Sequence, residues 1–337
     1  MKLDLYDIQS IANGAARVTC ENGYFNFYRF TLEQEQLYKE RSADFYNKTF
    51  STSGITLRFK TDSTQLFLDV LTEPGTSRSY YAFDVAVDGK RIASLDNYSS
   101  VDIPKAYTGI QCPLGPVSGT FELGNGDKEV TVYFPWSVNA KLKEISLNGT
   151  YFKPVKYSKK LLAFGDSITH GYDALHPSNK YVTRIAEALD AQEYNKAIGG
   201  EIFFPDLASS REDFEPDYVT VAYGTNDWSK CDRDTFVSNM TAFYTALSAT
   251  YPKAQIFALT PIWRKESETA EKAYPFNEIP DMIEKACSPL ENVTVCYGFD
   301  LVDHKEDCFA DLRLHPNDEG FGLYFERLIE IIRREIK

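Results

Sequence analysis

Leu161-Leu162-Ala163-Phe164-Gly165-Asp166-Ser167-Ile168-Thr169-His170-Gly171 is the stretch on which the fold turns. Four apolar residues in a row, 161–164, read as a short buried strand, and the Gly-Asp-Ser that follows breaks it. Beyond it, Tyr181, Ile185 and Leu189 recur at spacing four and predict a helix with one apolar face. Tyr218–Tyr223 reads as the next strand. A helix follows, carrying Phe236, Met240, Phe243, Leu247 and Tyr251, with Asp232 or Asp234 as its N-cap. Ile256–Thr260 and Val293–Tyr297 are further strands, and Phe321, Tyr324, Leu328 and Ile332 mark a closing helix. Strand and helix in alternation imply a parallel sheet covered on both faces. Reactive groups in such a sheet gather in the loops at the carboxyl ends of its strands.

Before Pro154 the rhythm is different. Short runs rich in Tyr, Phe, Val, Ile and Thr recur at Tyr24–Phe30, Ile55–Lys60, Gln65–Leu71, Tyr80–Val87, Thr120–Leu123, Glu129–Phe134 and Lys143–Leu147. Asp88-Gly89 is a two-residue hairpin signal, and Asn125-Gly126 and Asn148-Gly149 mark later turns. Thr31–Glu40 fits one short helix. The expected fold is therefore an all-β sandwich or jelly roll over residues 1–155, followed by an α/β domain over 156–337. Charge divides the same way. The 337 residues carry a net −13, of which −2 falls in the first half and −11 in the second.

Composition narrows the function classes. With 43% apolar and 25% charged residues, the chain is ordinary globular protein. Its acidity argues against nucleic acid or an anionic membrane surface as partner, since Lys and Arg dominate such binding. No apolar run reaches the roughly 18–20 residues of a membrane span. The N-terminus shows no apolar signal segment. Cys20, Cys112, Cys231, Cys287, Cys296 and Cys308 form no CxxC pair, so they read as reduced thiols of a cytoplasmic protein.

Four loops then carry the chemistry. Ser167, two residues past its strand and ahead of a helix, can present a hydroxyl at the sheet edge or merely cap the helix; GxSxG is absent. Gly199-Gly200, after Tyr194–Ile198, permits close backbone approach or a tight turn. Asn226, in Gly224-Thr225-Asn226-Asp227, can aim an amide donor into a site, although Asn-Asp is also good turn chemistry. His315, in Asp311-Leu312-Arg313-Leu314-His315-Pro316-Asn317, is one of only four histidines available as a base. His176 also precedes a proline but belongs at the rim or helix entry. Asp166 reads as a residue that holds its turn rather than as an acid.

In order and spacing these segments resemble the blocks of the SGNH, or GDSL-type, serine hydrolase superfamily. Gly165-Asp166-Ser167-Ile168 is similar to the first block, Asn195 with Gly200 to the second, Gly224-Thr225-Asn226-Asp227 to the third, and His315-Pro316-Asn317 to the last. The resemblance covers about residues 158–335. It implies a three-layer, flavodoxin-like domain with Ser167 as nucleophile and His315 as base, and with Ser167, Gly200 and Asn226 as oxyanion donors. No metal or cofactor is implied. One position departs: the family's Asp stands three residues before its His, where this chain has Leu312. Asp311 lies four before, and the role falls to it, to Asp303 or Asp307, or to a backbone carbonyl in a Ser-His dyad.

Two-domain carbohydrate esterases in the superfamily also carry an N-terminal jelly roll, and here the first half is alike in architecture rather than in motif. The resemblance thus points to hydrolysis of O-acyl, first of all O-acetyl, esters of sugars or short oligosaccharides through an acyl-enzyme. Trp263 is the candidate for stacking on a sugar or acyl group, with core burial as the other reading. Two alternatives stand beside this one: a short-chain carboxylester or lipid esterase, and a carbohydrate-binding protein whose hydrolase half is disabled.

Overall fold

A computed structural model describes residues 1–268 and 274–336. The C-terminal sheet has five parallel strands in the order Ala191–Asn195, Lys159–Gly165, Tyr218–Ala222, Gln255–Leu259, Val293–Cys296. Its hydrophobic runs are continuous because both faces are covered. Leu161 and Ala163 pack with the helices Tyr181–Ala188 and Asp318–Glu335. Leu162 and Phe164 pack on the other face with Arg233–Thr250 and Ile279–Cys287. Asp232 caps the long helix by accepting from the Thr235 N–H. The chain order around Lys159–Gly165 reverses direction, with the second strand on one side and the third on the other. The serine turn therefore leaves the sheet at its topological switch point, where open α/β sheets hold their ligands.

The first half forms two antiparallel sheets. One orders Arg17–Glu21, Tyr24–Tyr28, Val138–Leu147, Gln65–Pro74 and Gly115–Glu122. The other runs Ala12–Asn13, Thr56–Thr61, Lys128–Tyr133, Ala82–Val87 and Lys90–Asp96, with Phe152–Pro154 paired to Thr56–Thr61. Phe27, Phe59, Leu68, Phe83, Val132 and Leu142 fill the space between them. Asp88-Gly89 makes the expected hairpin, both residues at positive φ as a two-residue primed turn requires. Thr31 caps the helix Leu32–Arg41 through a capping box with Gln34.

The halves are not beads on a string. Tyr80, Tyr98, Tyr107 and Trp136 of the sandwich share one buried cluster with Tyr172, Tyr181 and Phe309. Phe30 and Tyr38 join the cluster on the opposite face of the parallel sheet. Between the two lies Arg29, fully buried. Its guanidinium donates to Ser51 O (2.7 Å), Ser51 Oγ (2.9 Å), Lys48 O (3.1 Å), Asn195 O (2.7 Å) and Ala197 O (3.1 Å). Burial pulls its pKa down to about 9. Arg29→Met keeps the volume but leaves these acceptors without a charged donor. It should destabilise the protein by about 3–5 kcal/mol, read as a lower urea midpoint. A change below about 1 kcal/mol would show that the clamp is not needed.

Candidate active site

Asp166, Ser167 and their neighbours are placed by a forced turn. At Gly165 a Cβ would stand 2.3 Å from Thr169 Oγ1, so a side chain there would collide with the next turn. Asp166 caps the short helix Ser167–His170, accepting from Ile168 N–H at 2.9 Å, and Gly171 ends it at φ +108°. Burial raises the Asp166 carboxyl to about 6, against that hydrogen bond. Asp166 thus holds the turn. Ser167, almost wholly buried, is left with its hydroxyl facing the far end of the chain.

What it faces is His315. Nε2 lies 2.9 Å from Ser167 Oγ, and Nδ1 lies 2.9 Å from Asp311 Oδ2. The Ser167 hydroxyl donates to Nε2 when Nδ1–H donates to Asp311, the tautomer that serves a serine nucleophile. Asp311 reaches despite its shifted position. Leu312 adopts the left-handed conformation, φ +57°, which absorbs the additional residue. Asp311 Oδ1 then accepts from Arg313 N (2.9 Å), Leu314 N (2.7 Å) and His315 N (3.1 Å), fixing the loop around its own side chain. Burial alone would raise the Asp311 pKa. The bond and charge of His315 and the backbone donors outweigh it and hold the group at about 2. Burial likewise disfavours the imidazolium. The hydrogen bond to Asp311 and the charges of Asp173 and Asp311 overcome it, so the His315 pKa is raised from its ordinary value.

The other carboxylates considered are engaged elsewhere, Asp303 with Lys305 and Arg327 and Asp307 with Lys105. His176 binds Asp84 at 2.9 Å, away from Ser167.

The loops of Gly200 and Asn226 are tied to one another, and the first adjoins the serine turn through Ile198 N–H to Gly165 O at 3.2 Å. Gly199 has no room for a side chain, since a Cβ would lie 2.4 Å from Tyr172 Oη, and Gly200 sits at φ +88°. Lys48 Nζ takes the Gly199 carbonyl (3.0 Å) and Lys230 Nζ the Gly200 carbonyl (2.5 Å). Asn226 donates one amide hydrogen to Glu201 O at 3.0 Å, which orients the group and leaves the other hydrogen for a ligand. Asp227 ties the two loops, accepting from Phe203 N and Gly224 N. Among the described residues, the N–H groups of Ser167 and Gly200 have no acceptor in the protein. Nor does any group of three or more His, Cys, Asp and Glu among the described residues suit a metal ion.

Trp263 is a correction. Only 9% of it is exposed, its ring stacked on His304 at 5.7 Å and packed against Phe309 at 5.2 Å. With those contacts made it is a core residue and not a stacking platform. Sequence reasoning also missed Asp173, whose Oδ2 is 3.3 Å from His315 Nδ1, and Tyr172, whose ring stacks on His315 at 5.9 Å. A carboxylate in the loop after the serine turn was the one available signal.

Residues 163–323 match the model of the GDSL-like lipase/acylhydrolase family. The C-terminal part is therefore a GDSL-like acylhydrolase domain, and the chain is a carboxylic ester hydrolase. Among solved structures it is similar to the salicylyl-acyltransferase SsfX3 of a tetracycline biosynthetic pathway, with TM-score 0.76, 20% identity, and 96% of this chain and 94% of that one covered. It is also similar to an acetyl xylan esterase of the rumen bacterium Butyrivibrio proteoclasticus (0.64, 18%, 100% and 98%). A third is a family two carbohydrate esterase from Clostridium thermocellum in complex with cellohexaose (0.61, 16%, 85% and 94%). At these identities the likeness is one of fold, sandwich and parallel-sheet domain together. No curated protein matches the sequence significantly.

Proposed function

We propose that this ester hydrolase removes short acyl groups, acetyl first, from sugars or short oligosaccharides, with Ser167 as nucleophile and His315 as its base. The observation that carries the chemistry is the unbroken line of hydrogen bonds from Ser167 Oγ through His315 to Asp311. The hydroxyl attacks the ester carbonyl as Nε2 takes its proton. The tetrahedral oxyanion is met by the N–H groups of Ser167 and Gly200 and the amide of Asn226. His315 returns the proton to the leaving alcohol, and water then releases the acid from the acyl-enzyme.

The sugar reading has its own support. A groove runs between the helix Ala43–Lys48 and the strand end at Pro74, lined by Asp44, Asn47, Lys48, Phe50, Thr76 and Asn139. One aromatic ring among hydrogen-bonding side chains suits a hydroxyl-rich ligand better than an alkyl chain. The groove borders the site, because Lys48 on its wall holds Gly199 and Ser77 adjoins the Arg78 that binds Asp173. Two of the structurally similar proteins are a family two carbohydrate esterase and an acetyl xylan esterase, which agrees with this reading.

Acetate release from acetylated xylan, mannan and monosaccharide acetates, set against p-nitrophenyl esters of rising chain length, tests the reading. A higher kcat/KM on acetylated sugars is expected. Preference for long acyl chains over acetate would sink it.

A further inference from the structure

His315 Nδ1 faces two carboxylates, and they differ in kind. Asp311 belongs to its own loop and is partly exposed; Asp173 is fully buried. Asp173 is gripped from the sandwich. Arg78 donates to it twice, Nε to Oδ1 at 2.7 Å and Nη2 to Oδ2 at 3.2 Å, and the Tyr80 hydroxyl also donates to Oδ1. Its backbone is held as firmly. Tyr107 Oη donates to Asp173 O (2.6 Å), Trp136 Nε1 to Ala174 O (2.8 Å) and Tyr98 Oη to Leu175 O (2.8 Å). Three sandwich side chains thus take three consecutive carbonyls, and Asp173 itself sits at φ +73°, a conformation such anchoring sustains. A merely structural aspartate needs Arg78 and Tyr80. It does not need to turn its second oxygen toward the imidazole.

We propose that Asp173 is a second carboxylate that stabilises the charged form of His315, set in place by the N-terminal sandwich, which thereby forms part of the hydrolytic apparatus. This rests on the reading of Ser167 and His315 as nucleophile and base. The one Nδ1 hydrogen goes to Asp311 at 2.9 Å, Asp173 Oδ2 at 3.3 Å adds its charge, and both carboxylates stabilise the imidazolium that forms when Ser167 is deprotonated. Asp173 is a positioning residue acting through His315. The groups facing the imidazole are Asp311 on its own loop, Asp166 and Asp173 from the serine turn and the loop after it, Arg78 from the sandwich, and the Tyr172 ring.

The test compares D173N, D311N and the double variant by kcat and by the NMR titration of His315. In an ordinary triad, Asp→Asn costs on the order of 10⁴ in kcat. With a second carboxylate beside the imidazole, D311N should cost about 10² and D173N about tenfold, while the double variant reaches about 10⁴, more than their product. D173N should lower the His315 pKa. Tyr80→Phe, which removes a donor competing for Asp173, should raise it, an opposition that simple loosening of the loop does not produce. The proposal is overturned if D311N alone loses as much as the double variant, or if D173N leaves rate and titration unchanged. Should D173N fail to fold, an unmoved titration in Tyr80→Phe overturns it as well. The titration needs no turnover, so an active Ser167→Ala enzyme would refute the serine mechanism separately.

Discussion

Ser167→Ala should lose at least about 10⁴-fold in kcat toward p-nitrophenyl acetate while the protein keeps its fold. The side chain carries almost no structural duty. Among the described residues its hydroxyl has one partner, His315 Nε2, and its backbone opens a short helix in which alanine is favourable. Asp166 still caps that helix, and Thr169, not Ser167, makes the buried contact with Tyr181 at 2.7 Å. The melting temperature should therefore stay within a few degrees while turnover falls. Without the nucleophile only the oxyanion donors and substrate binding remain, which is why the loss is large but not total. Wild-type enzyme should also show a burst of p-nitrophenol where deacylation limits the rate, and the variant none. Equal rates from the two enzymes would end the Ser167 mechanism, and with it the distinction from a disabled hydrolase would fall the other way.

Much of this site was legible because strand, loop and helix punctuation is local. Leu161–Phe164 is buried on both faces, so its apolar run was unbroken, and Ser167 stands just past where that run stops. His315 was legible for a similar reason, on a loop before a strongly amphipathic helix capped by Asn317. Asp311 was left open, because the extra residue is absorbed by the left-handed backbone of Leu312, and nothing about a leucine announces φ +57°. Trp263 shows the opposite failure: an aromatic after a strand reads equally as ligand platform or core, and only its contacts with His304 and Phe309 decide.

In the sandwich, Arg17–Glu21 and Lys90–Asp96 were not among the expected strands. None of their residues is buried, so they lack the alternation that marks a half-buried strand, even though Asp88-Gly89 announced the turn into the second. Asp173 was illegible for a deeper reason. Arg78, Tyr80, Tyr98, Tyr107 and Trp136, which hold it and its neighbours, stand 38 to 95 residues away in the chain. They meet it only because the two halves share a core, a fact of tertiary packing that no local pattern encodes.

The same dependence sharpens the expectation for Asn226. Its amide is aimed by one bond, to the Glu201 carbonyl, and Glu201 is itself anchored by Arg41 of the sandwich helix, Nη1 to Oε1 at 2.8 Å. The free amide hydrogen is thus held in one orientation, as the proposed oxyanion role requires. Asn226→Ala should cost on the order of 10²–10³ in kcat, about 3–4 kcal/mol, with little change in KM. A purely structural asparagine would behave differently. Its loss would loosen the Gly200 loop and raise KM together with a fall in stability. Asn226→Asp separates the cases further: the size is kept, but an acceptor and negative charge replace the donor. Its kcat should fall below that of the alanine variant, since repulsion of the oxyanion adds to the missing hydrogen bond. An aspartate variant as active as wild type would remove Asn226 from the oxyanion site and leave the charge to Ser167 and Gly200 alone.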